Sequence, residues 1–187
     1  MAHSDEIRLR YVKKKLSSLV FAVPLFFATL TGCSMTDKNS DDIPFAGTSS
    51  SRDASQAMEK VSSGIYDLIG VKGKASSSRP FVAECSGKDA KKYFRIFHWW
   101  SFYPTSASDL GVAMERLKEE LPKRGWKVVS YGPDTSRNKN TNLTADNDRK
   151  KVGVNIVQMS KNDPPKLSLH VVSGCYKVPD GQTVEQF

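Results

Sequence analysis

Apolar and polar positions recur with two different periods along the chain, and each period predicts a type of element. From Arg52 to Ile69 the apolar residues follow the i, i+3, i+4, i+7 spacing, which is typical of an amphipathic helix. A second stripe with this spacing begins after Pro104, where Ser106 and Asp109 indicate a capping box. Its apolar positions are Leu110, Ala113, Met114, Leu117 and Leu121. The sequence therefore predicts two helices, each with one face directed to a core.

Runs rich in aromatic and β-branched residues predict strands before and after the second helix. The longest run, Tyr93–Tyr103, is apolar on both faces. Four other runs cover residues 81–85, 126–131, 151–160 and 165–178. The polar stretch 132–151 is predicted to be a long mobile hairpin loop. Because two helices cannot cover both faces of a sheet, we expect an α+β fold, with an antiparallel β-sheet and two helices packed on one face as a two-layer sandwich.

A separate apolar run lies near the N-terminus, from Leu16 to Leu30. Its 15 residues are fewer than the roughly 20 that a membrane-spanning helix needs. Five basic residues precede the run, as in the positive n-region of an export signal. We therefore interpret it as a targeting segment that does not belong to the folded domain.

The end of this run, Leu30-Thr31-Gly32-Cys33, resembles the lipobox of bacterial lipoproteins. The resemblance implies that the Cys33 thiol takes a diacylglyceryl group and that the chain is cleaved just before it. Residues 1–32 would then be a lipoprotein signal peptide. The mature protein would be lipid-anchored at the cell membrane, on the extracytoplasmic side. The alternative is an uncleaved anchor helix with a chance cysteine.

Cleavage at this point would leave a mature chain of 155 residues with a formal net charge of +5, against +8 for the full sequence. Residues 33–51 are mostly polar and rich in Ser and Asp, so we expect a flexible polar tether. Residues 52–187 are expected to form a single α+β domain. The mild positive charge favours anionic lipid head groups or wall polymers. Nucleic-acid binding is not expected, because no basic helix or RNA-binding aromatic motif accompanies the charge.

The three cysteines of the chain are Cys33, Cys85 and Cys175. Assigning Cys33 to lipid leaves an even pair, and such a pair usually oxidises outside the cytoplasm. A disulfide between Cys85 and Cys175 is therefore predicted, and two reduced thiols in the core are the alternative. The chain has no CxxC spacing and no Cys/His cluster, so neither a metal site nor a redox-active site is predicted.

Candidate catalytic groups are few. The sequence contains no GxSxG, HExxH or phosphate-loop motif, so no catalytic residue and no cofactor is predicted. His98 and His170 lie in predicted strands, where we expect a structural or merely exposed role. The carboxylates of the second helix, Glu115, Glu119 and Glu120, alternate with basic residues and are interpreted as a solvated face.

The long predicted strand supplies a candidate interaction face. A period of two places Phe94, Ile96, His98 and Trp100 on one side and Tyr93, Arg95, Phe97 and Trp99 on the other. Because the second set contains Arg95, we assign the first set to the core. We expect the second to be partly open, as an aromatic surface with a cation beside it. The alternative is that the first helix, the tether or a second copy of the domain covers it.

The order of these features along the chain also resembles a known family. A lipobox and a first helix are followed by a cysteine before an aromatic strand, the helix SASDLGVAMERLKEELPKRGW, a polar hairpin and a final strand LSLHVVSGCY with the second cysteine. This arrangement is similar to that of the LppA-like cell-envelope lipoproteins of mycobacteria and other actinobacteria. The resemblance implies a membrane-attached α+β domain with two cysteines, and Cys33 is the one functional position that it transfers.

Two classes of function follow from the sequence. The first is a non-catalytic binding or interaction module of the cell envelope, attached to the membrane by its lipid and contacting a cell-wall component or an envelope protein. The second is an envelope enzyme, hydrolase-like, whose site no sequence motif marks. The absence of catalytic motifs favours the binding module.

Overall fold

The computed structural model describes residues 43–187, which lie in one compact unit. Within this part of the chain there are two helices and nine strands. In chain order they are β1 (Phe45–Thr48), α1 (Ser51–Ile69), β2 (Gly73–Ala75), β3 (Phe81–Glu84), β4 (Tyr93–Pro104), α2 (Asp109–Lys123), β5 (Lys127–Pro133), β6 (Thr141–Asn147), β7 (Val152–Met159), β8 (Lys166–Ser173) and β9 (Cys175–Lys177).

All nine strands belong to one curled sheet with the order β1-β9-β4-β8-β7-β6-β5, and β2 and β3 also pair with β4. Every pairing is antiparallel except that of β1 with β9, which is parallel. Both helices pack against the sheet, and the predicted α+β fold is confirmed. Strand β4 is the longest strand and has four neighbours, so it is the strand around which the fold is built.

The core lies between the two helices and the inward side of the sheet. The period of two in β4 and β8 and the period of 3.6 in the helices direct the apolar residues of all these elements into one cluster. Its largest fully buried side chains include Ile65 and Ile69 of α1, Leu117 and Leu121 of α2, and Phe94 and Phe102 of β4.

Helix α1 begins and ends with local signals that the sequence contains. The Ser50 hydroxyl accepts a hydrogen bond from the backbone N–H of Asp53 at 3.1 Å, and this bond caps the first turn. The helix ends at Gly70, whose φ of 66° is the left-handed conformation that glycine adopts without steric cost. The helix predicted from Arg52 to Ile69 is confirmed, one residue longer at its start.

Helix α2 buries all five residues of the predicted apolar stripe, but it does not begin as predicted. Ser108 is its N-cap and makes no side-chain capping bond. The Ser106 hydroxyl instead hydrogen-bonds the Ser108 hydroxyl at 2.8 Å, so it does not serve the first turn of the helix. The predicted capping box of Ser106 and Asp109 is wrong, because a polar residue before a helix can bond a neighbouring side chain as well as a backbone N–H.

Part of the predicted mobile loop is a strand. Residues 141–147 form β6, which pairs with β5 on one side and β7 on the other. The inward residues of β6 include Leu143 and Ala145, both fully buried, and its outward residues include Asn142 and Thr144. Two apolar residues among seven gave too weak an alternation to predict a strand. Pairing on both sides stabilises a strand of low intrinsic propensity.

The ordered domain also begins earlier than residue 52. Residues 45–48, which fell within the predicted tether, form β1, and the backbone N–H of Cys175 donates to the Pro44 carbonyl at 2.8 Å. The carbonyl of Lys177 also accepts a hydrogen bond from Ser49. A parallel pairing between the two ends of the domain gives no signal in local sequence periodicity.

A disulfide joins Cys85, after β3, to Cys175 in β9, with the two Cα atoms 6.0 Å apart. The predicted pairing is confirmed, and both cysteines are buried. Persistent disulfides form in oxidising compartments, so the bond indicates a location outside the cytoplasm. The predicted signal peptide and Cys33 lie outside the described residues. Within residues 43–187 no helix is long and apolar enough to cross a membrane.

Candidate functional site

Strand β4 separates two environments. Its inward residues Phe94, Ile96, His98 and Trp100 are all buried. Its outward residues differ in exposure, because Tyr93, Arg95 and Phe97 are half-buried while Trp99 is 53% exposed. The structure therefore brings together the four residues predicted as an interaction face, on the side of the sheet opposite the helices.

Three neighbouring strands place aromatic side chains around Trp99. We call Phe81, Phe97, Trp99 and His170 the outer aromatic cluster. Phe81 of β3 stacks on Phe97 with ring centroids 5.6 Å apart and meets Trp99 edge-on at 5.1 Å. His170 of β8 lies directly opposite Trp99 in the strand register, with its ring 5.5 Å away. Phe81 and His170 were not predicted as members of this face, because only the pairing of β3 and β8 with β4 brings them there.

A cation lies beside this cluster. The Arg95 Nε–H donates to the Ser173 carbonyl at 3.0 Å, and the guanidinium carbon is 5.2 Å from the centre of the Phe97 ring. Burial lowers the pKa of Arg95, but a guanidinium stays charged at any physiological pH. At the end of the strand Lys88 lies 5.2 Å from the centre of the Tyr93 ring. The outer face thus combines flat aromatic surface with positive charge.

The same face becomes polar away from β4. Asn155 of β7 is the register partner of His170, and its side-chain amide donates to Asn142 Oδ1 at 2.8 Å and to Thr144 Oγ1 at 3.1 Å. On β8 the Ser168 hydroxyl and His170 Nε2 are 3.3 Å apart. The outer surface of the sheet therefore grades from aromatic at β3 and β4 to hydrogen-bonded amides and hydroxyls at β6 and β7.

A recess lies on the helix side of the sheet, opposite the outer aromatic cluster. We call it the inner cleft; it has a volume of about 450 Å³. It is lined by five residues of α1 from Glu59 to Asp67, by three residues of the segment 75–78, and by His98 and Trp100. Ser76 fixes the edge of the cleft to β4, because its backbone N–H donates to the Ser101 carbonyl at 2.8 Å and its hydroxyl accepts from the Ser101 N–H at 2.9 Å.

His98 is held between two hydroxyl groups at the bottom of the inner cleft. Its Nδ1 is 2.8 Å from the Ser62 hydroxyl of α1, and its Nε2 is 3.2 Å from the Ser78 hydroxyl. Burial lowers the pKa of His98, although a backbone hydrogen bond with Ser78 and the nearby Glu59 carboxylate act in the opposite direction. The imidazole is therefore neutral at pH 7 and connects the helix, β4 and the segment 75–78.

We expect this histidine to make stability depend on pH. The unfolded chain binds the His98 proton more readily than the folded chain, so the free energy of unfolding should decrease as the pH falls through about 6.5. The decrease should end below the lowered pKa of the folded state. Chemical denaturation at a series of pH values between 7.5 and 5.5 would measure it, with His98→Gln expected to remove the slope. His170→Gln, at an exposed site on the other side of the sheet, is the matched control, and an equal loss of slope in both variants would contradict the assignment.

The carboxylates of α2 make contacts typical of a solvated surface. The Tyr131 hydroxyl donates to Glu115 at 2.8 Å and Lys118 donates to the same carboxylate at 3.2 Å, which lowers the pKa of Glu115. Lys123 pairs with Glu120 at 2.7 Å. These groups bind neighbours on the surface of α2 and do not converge on a recess.

Neither metal ligands nor similarity to known proteins identifies a function for the described residues. Among residues 43–187 no group of three or more His, Cys, Asp or Glu side chains could hold a metal ion. No family model matches the chain, and neither does any curated protein or solved structure. The resemblance to LppA-like lipoproteins therefore stays a prediction.

Proposed function

We propose that this protein is a lipoprotein anchored through Cys33 on the extracytoplasmic side of the cell membrane, and that its domain is a non-catalytic module that binds an envelope protein. The observation that carries the proposal is the outer aromatic cluster, in which Trp99 is 53% exposed although aromatic rings surround it. Large aromatic residues and arginine are the residue types that contribute most to protein–protein binding.

The geometry of the cluster suits a binding surface. Trp99 is held by Phe81 and His170, so little side-chain freedom remains to be lost when a partner covers it. Residues 43–187 contain 22 Lys and Arg against 15 Asp and Glu, a formal net charge of +7. Arg95 and Lys88 place part of this charge beside the aromatic rings. The partner that fits is a protein surface with an apolar centre and acidic residues at its edge.

Membrane attachment is tested at Cys33. The Cys33→Ala variant is expected to accumulate as an unprocessed precursor, because the thiol that accepts the diacylglyceryl group is missing. Two acyl chains give stable anchoring, so mass spectrometry of the wild-type protein from membranes should show an acylated N-terminal cysteine. Thr31→Ala keeps a small residue in the lipobox and should be processed normally. A wild-type protein that is uncleaved and free of lipid would contradict the anchor.

The binding face is tested by photo-crosslinking in intact membranes. A photoreactive amino acid at position 170, beside Trp99, should give a discrete crosslinked product, whereas the same group at Val129, an exposed position on β5, should not. Adding Trp99→Ser should reduce the yield from position 170 by at least about tenfold, the effect of losing one binding hot spot.

The matched control for Trp99→Ser is Val112→Ser, which removes an apolar side chain of similar exposure from α2. It should leave the crosslink at position 170 unchanged. Equal yields from positions 170 and 129, or an equal loss in both serine variants, would show that the outer aromatic cluster does not select the partner.

A further inference from the structure

The inner cleft has features of a ligand site that the outer face does not explain. Its volume of about 450 Å³ lies within the range of small-molecule sites. His98 and Trp100 of the same strand reach it from the side of β4 that is opposite Trp99. A ligand in the cleft would therefore be separate from the partner proposed above.

One residue of the cleft lining contains a buried donor without a partner. Trp100 is 6% exposed and lines the cleft, and its indole Nε1–H is buried without a hydrogen-bond acceptor among residues 43–187. A buried donor left unpaired costs free energy, so native structures rarely keep one without a reason. The indole also carries a flat apolar surface, and the Tyr66 ring lies at 6.2 Å from it, tilted by 50°.

The rest of the lining defines what kind of ligand fits. Four serine hydroxyls line the cleft and can each donate or accept a hydrogen bond, while both ring nitrogens of His98 are already paired with Ser62 and Ser78. The charged residues at the cleft are Glu59 and Asp67, and no Lys or Arg lines it. The two carboxylates accept hydrogen bonds from hydroxyl groups and repel anions.

From this lining we infer that the inner cleft is a binding site for a neutral sugar. A pyranose has hydroxyl groups that donate to Glu59 and Asp67 and hydroxyl oxygens that accept from the serine hydroxyls. Its C–H faces pack on the aromatic rings of Tyr66 and Trp100. A simple amine is attracted by the carboxylates, but it has no oxygen to accept hydrogen bonds from the serine hydroxyls. An anionic sugar meets two carboxylates with no cation to offset them.

The test uses the three tryptophan indole N–H signals of the full-length protein, labelled with ¹⁵N and held in a detergent without a sugar head group. The probes are glucose, N-acetylglucosamine, glucosamine and glucuronate. The Trp100 signal, identified by its absence in Trp100→Phe, should shift with glucose or N-acetylglucosamine, while the Trp126 signal stays in place. We expect a Kd in the millimolar range, because a monosaccharide makes few contacts. Glucuronate should bind at least about tenfold more weakly than glucose.

Variants at exposed positions separate binding from folding. Ser63→Phe should block the cleft and abolish the shift, whereas Ala57→Phe, on the same helix but outside the lining, should not. The pair Glu59→Gln and Asp67→Asn should bring the affinity for glucuronate close to that for glucose. Glu119→Gln, an exposed carboxylate on α2, is the charge control. Each variant should keep the melting temperature of the wild type within a few degrees.

Three results would overturn the inference. The first is that neither neutral sugar moves the Trp100 signal in a folded protein. The second is that glucosamine binds more tightly than N-acetylglucosamine, which would identify a cation site. The third is that sugars move the signal of Trp99 and not that of Trp100, which would place the sugar on the outer face. The first two results bear neither on lipid attachment at Cys33 nor on the crosslink at position 170, so the sugar site can fail while the proposed function stands.

Discussion

Replacing both Cys85 and Cys175 with alanine is expected to lower the free energy of unfolding by about 4–5 kcal/mol. The disulfide closes a loop between residues 90 positions apart in sequence, and the chain-entropy model gives a stabilisation of this size for such a loop. The total stability of a domain is on the order of 5–15 kcal/mol, so the loss would be a large fraction of it. Alanine is preferred to serine, because both sites are buried and a serine hydroxyl would add the cost of an unpaired polar group.

Guanidinium unfolding of the wild-type protein with and without reductant, and of the double alanine variant, would measure this effect. The reduced wild type and the variant should unfold at similar denaturant concentrations, both well below the oxidised wild type. Reductant should leave the variant unchanged, which controls for effects on the other cysteine. A wild-type midpoint that does not respond to reductant would contradict the prediction.

The second large effect is expected at Phe94. Phe94→Ala should lower the free energy of unfolding by about 3–5 kcal/mol, because the ring is fully buried, stacks on Tyr176 at 5.5 Å and leaves a cavity when removed. On the outward side of the same strand, Trp99→Ala should cost about 1 kcal/mol, since it loses aromatic contacts with Phe81 and His170 but creates no cavity.

The comparison of Phe94 with Trp99 tests the two faces of β4 directly. Thermal or chemical unfolding of the two variants under one condition suffices, because both substitutions remove a large aromatic ring. A cost at Trp99 equal to that at Phe94 would mean that the Trp99 ring is part of a core. In that case the outer aromatic cluster could not serve as a free binding surface.

The position of each strand within the sheet was beyond local prediction. Strand β6 has two inward apolar residues, Leu143 and Ala145, and its outward residues resemble those of a loop. Strand β1 follows a polar stretch and pairs with β9, more than 120 residues away in sequence. Strand β1 is stabilised by backbone hydrogen bonds to a neighbour distant in sequence, and β6 by hairpin pairing with β5 and β7. Neither kind of pairing leaves a periodic signal of its own.

The candidate sites were also predictable only in part. Alternation along β4 was enough to assign Phe94 to the inside and Trp99 to the outside. It could not show that Phe81 and His170 surround Trp99, because their positions depend on the register of β3 and β8 against β4. The inner cleft was likewise unpredictable. The sequence predicts that His98 lies in a strand, but it does not show that Ser62 from a helix and Ser78 from a connecting segment are its partners.

The properties that could be predicted from the amino-acid sequence are those that depend on near neighbours or on counting. The two helices, the long aromatic strand and the strands β7 and β8 follow from hydrophobic period, and the disulfide follows from an even pair of cysteines in a chain predicted to be exported. The strand order, the pairing of β1 with β9 and the pairing of β6 with β5 and β7 are visible only in the tertiary structure. The same holds for the composition of the outer aromatic cluster and for the inner cleft. These features depend on how separate elements pack against one another, and the free energy of that packing is a property of the whole core rather than of any segment.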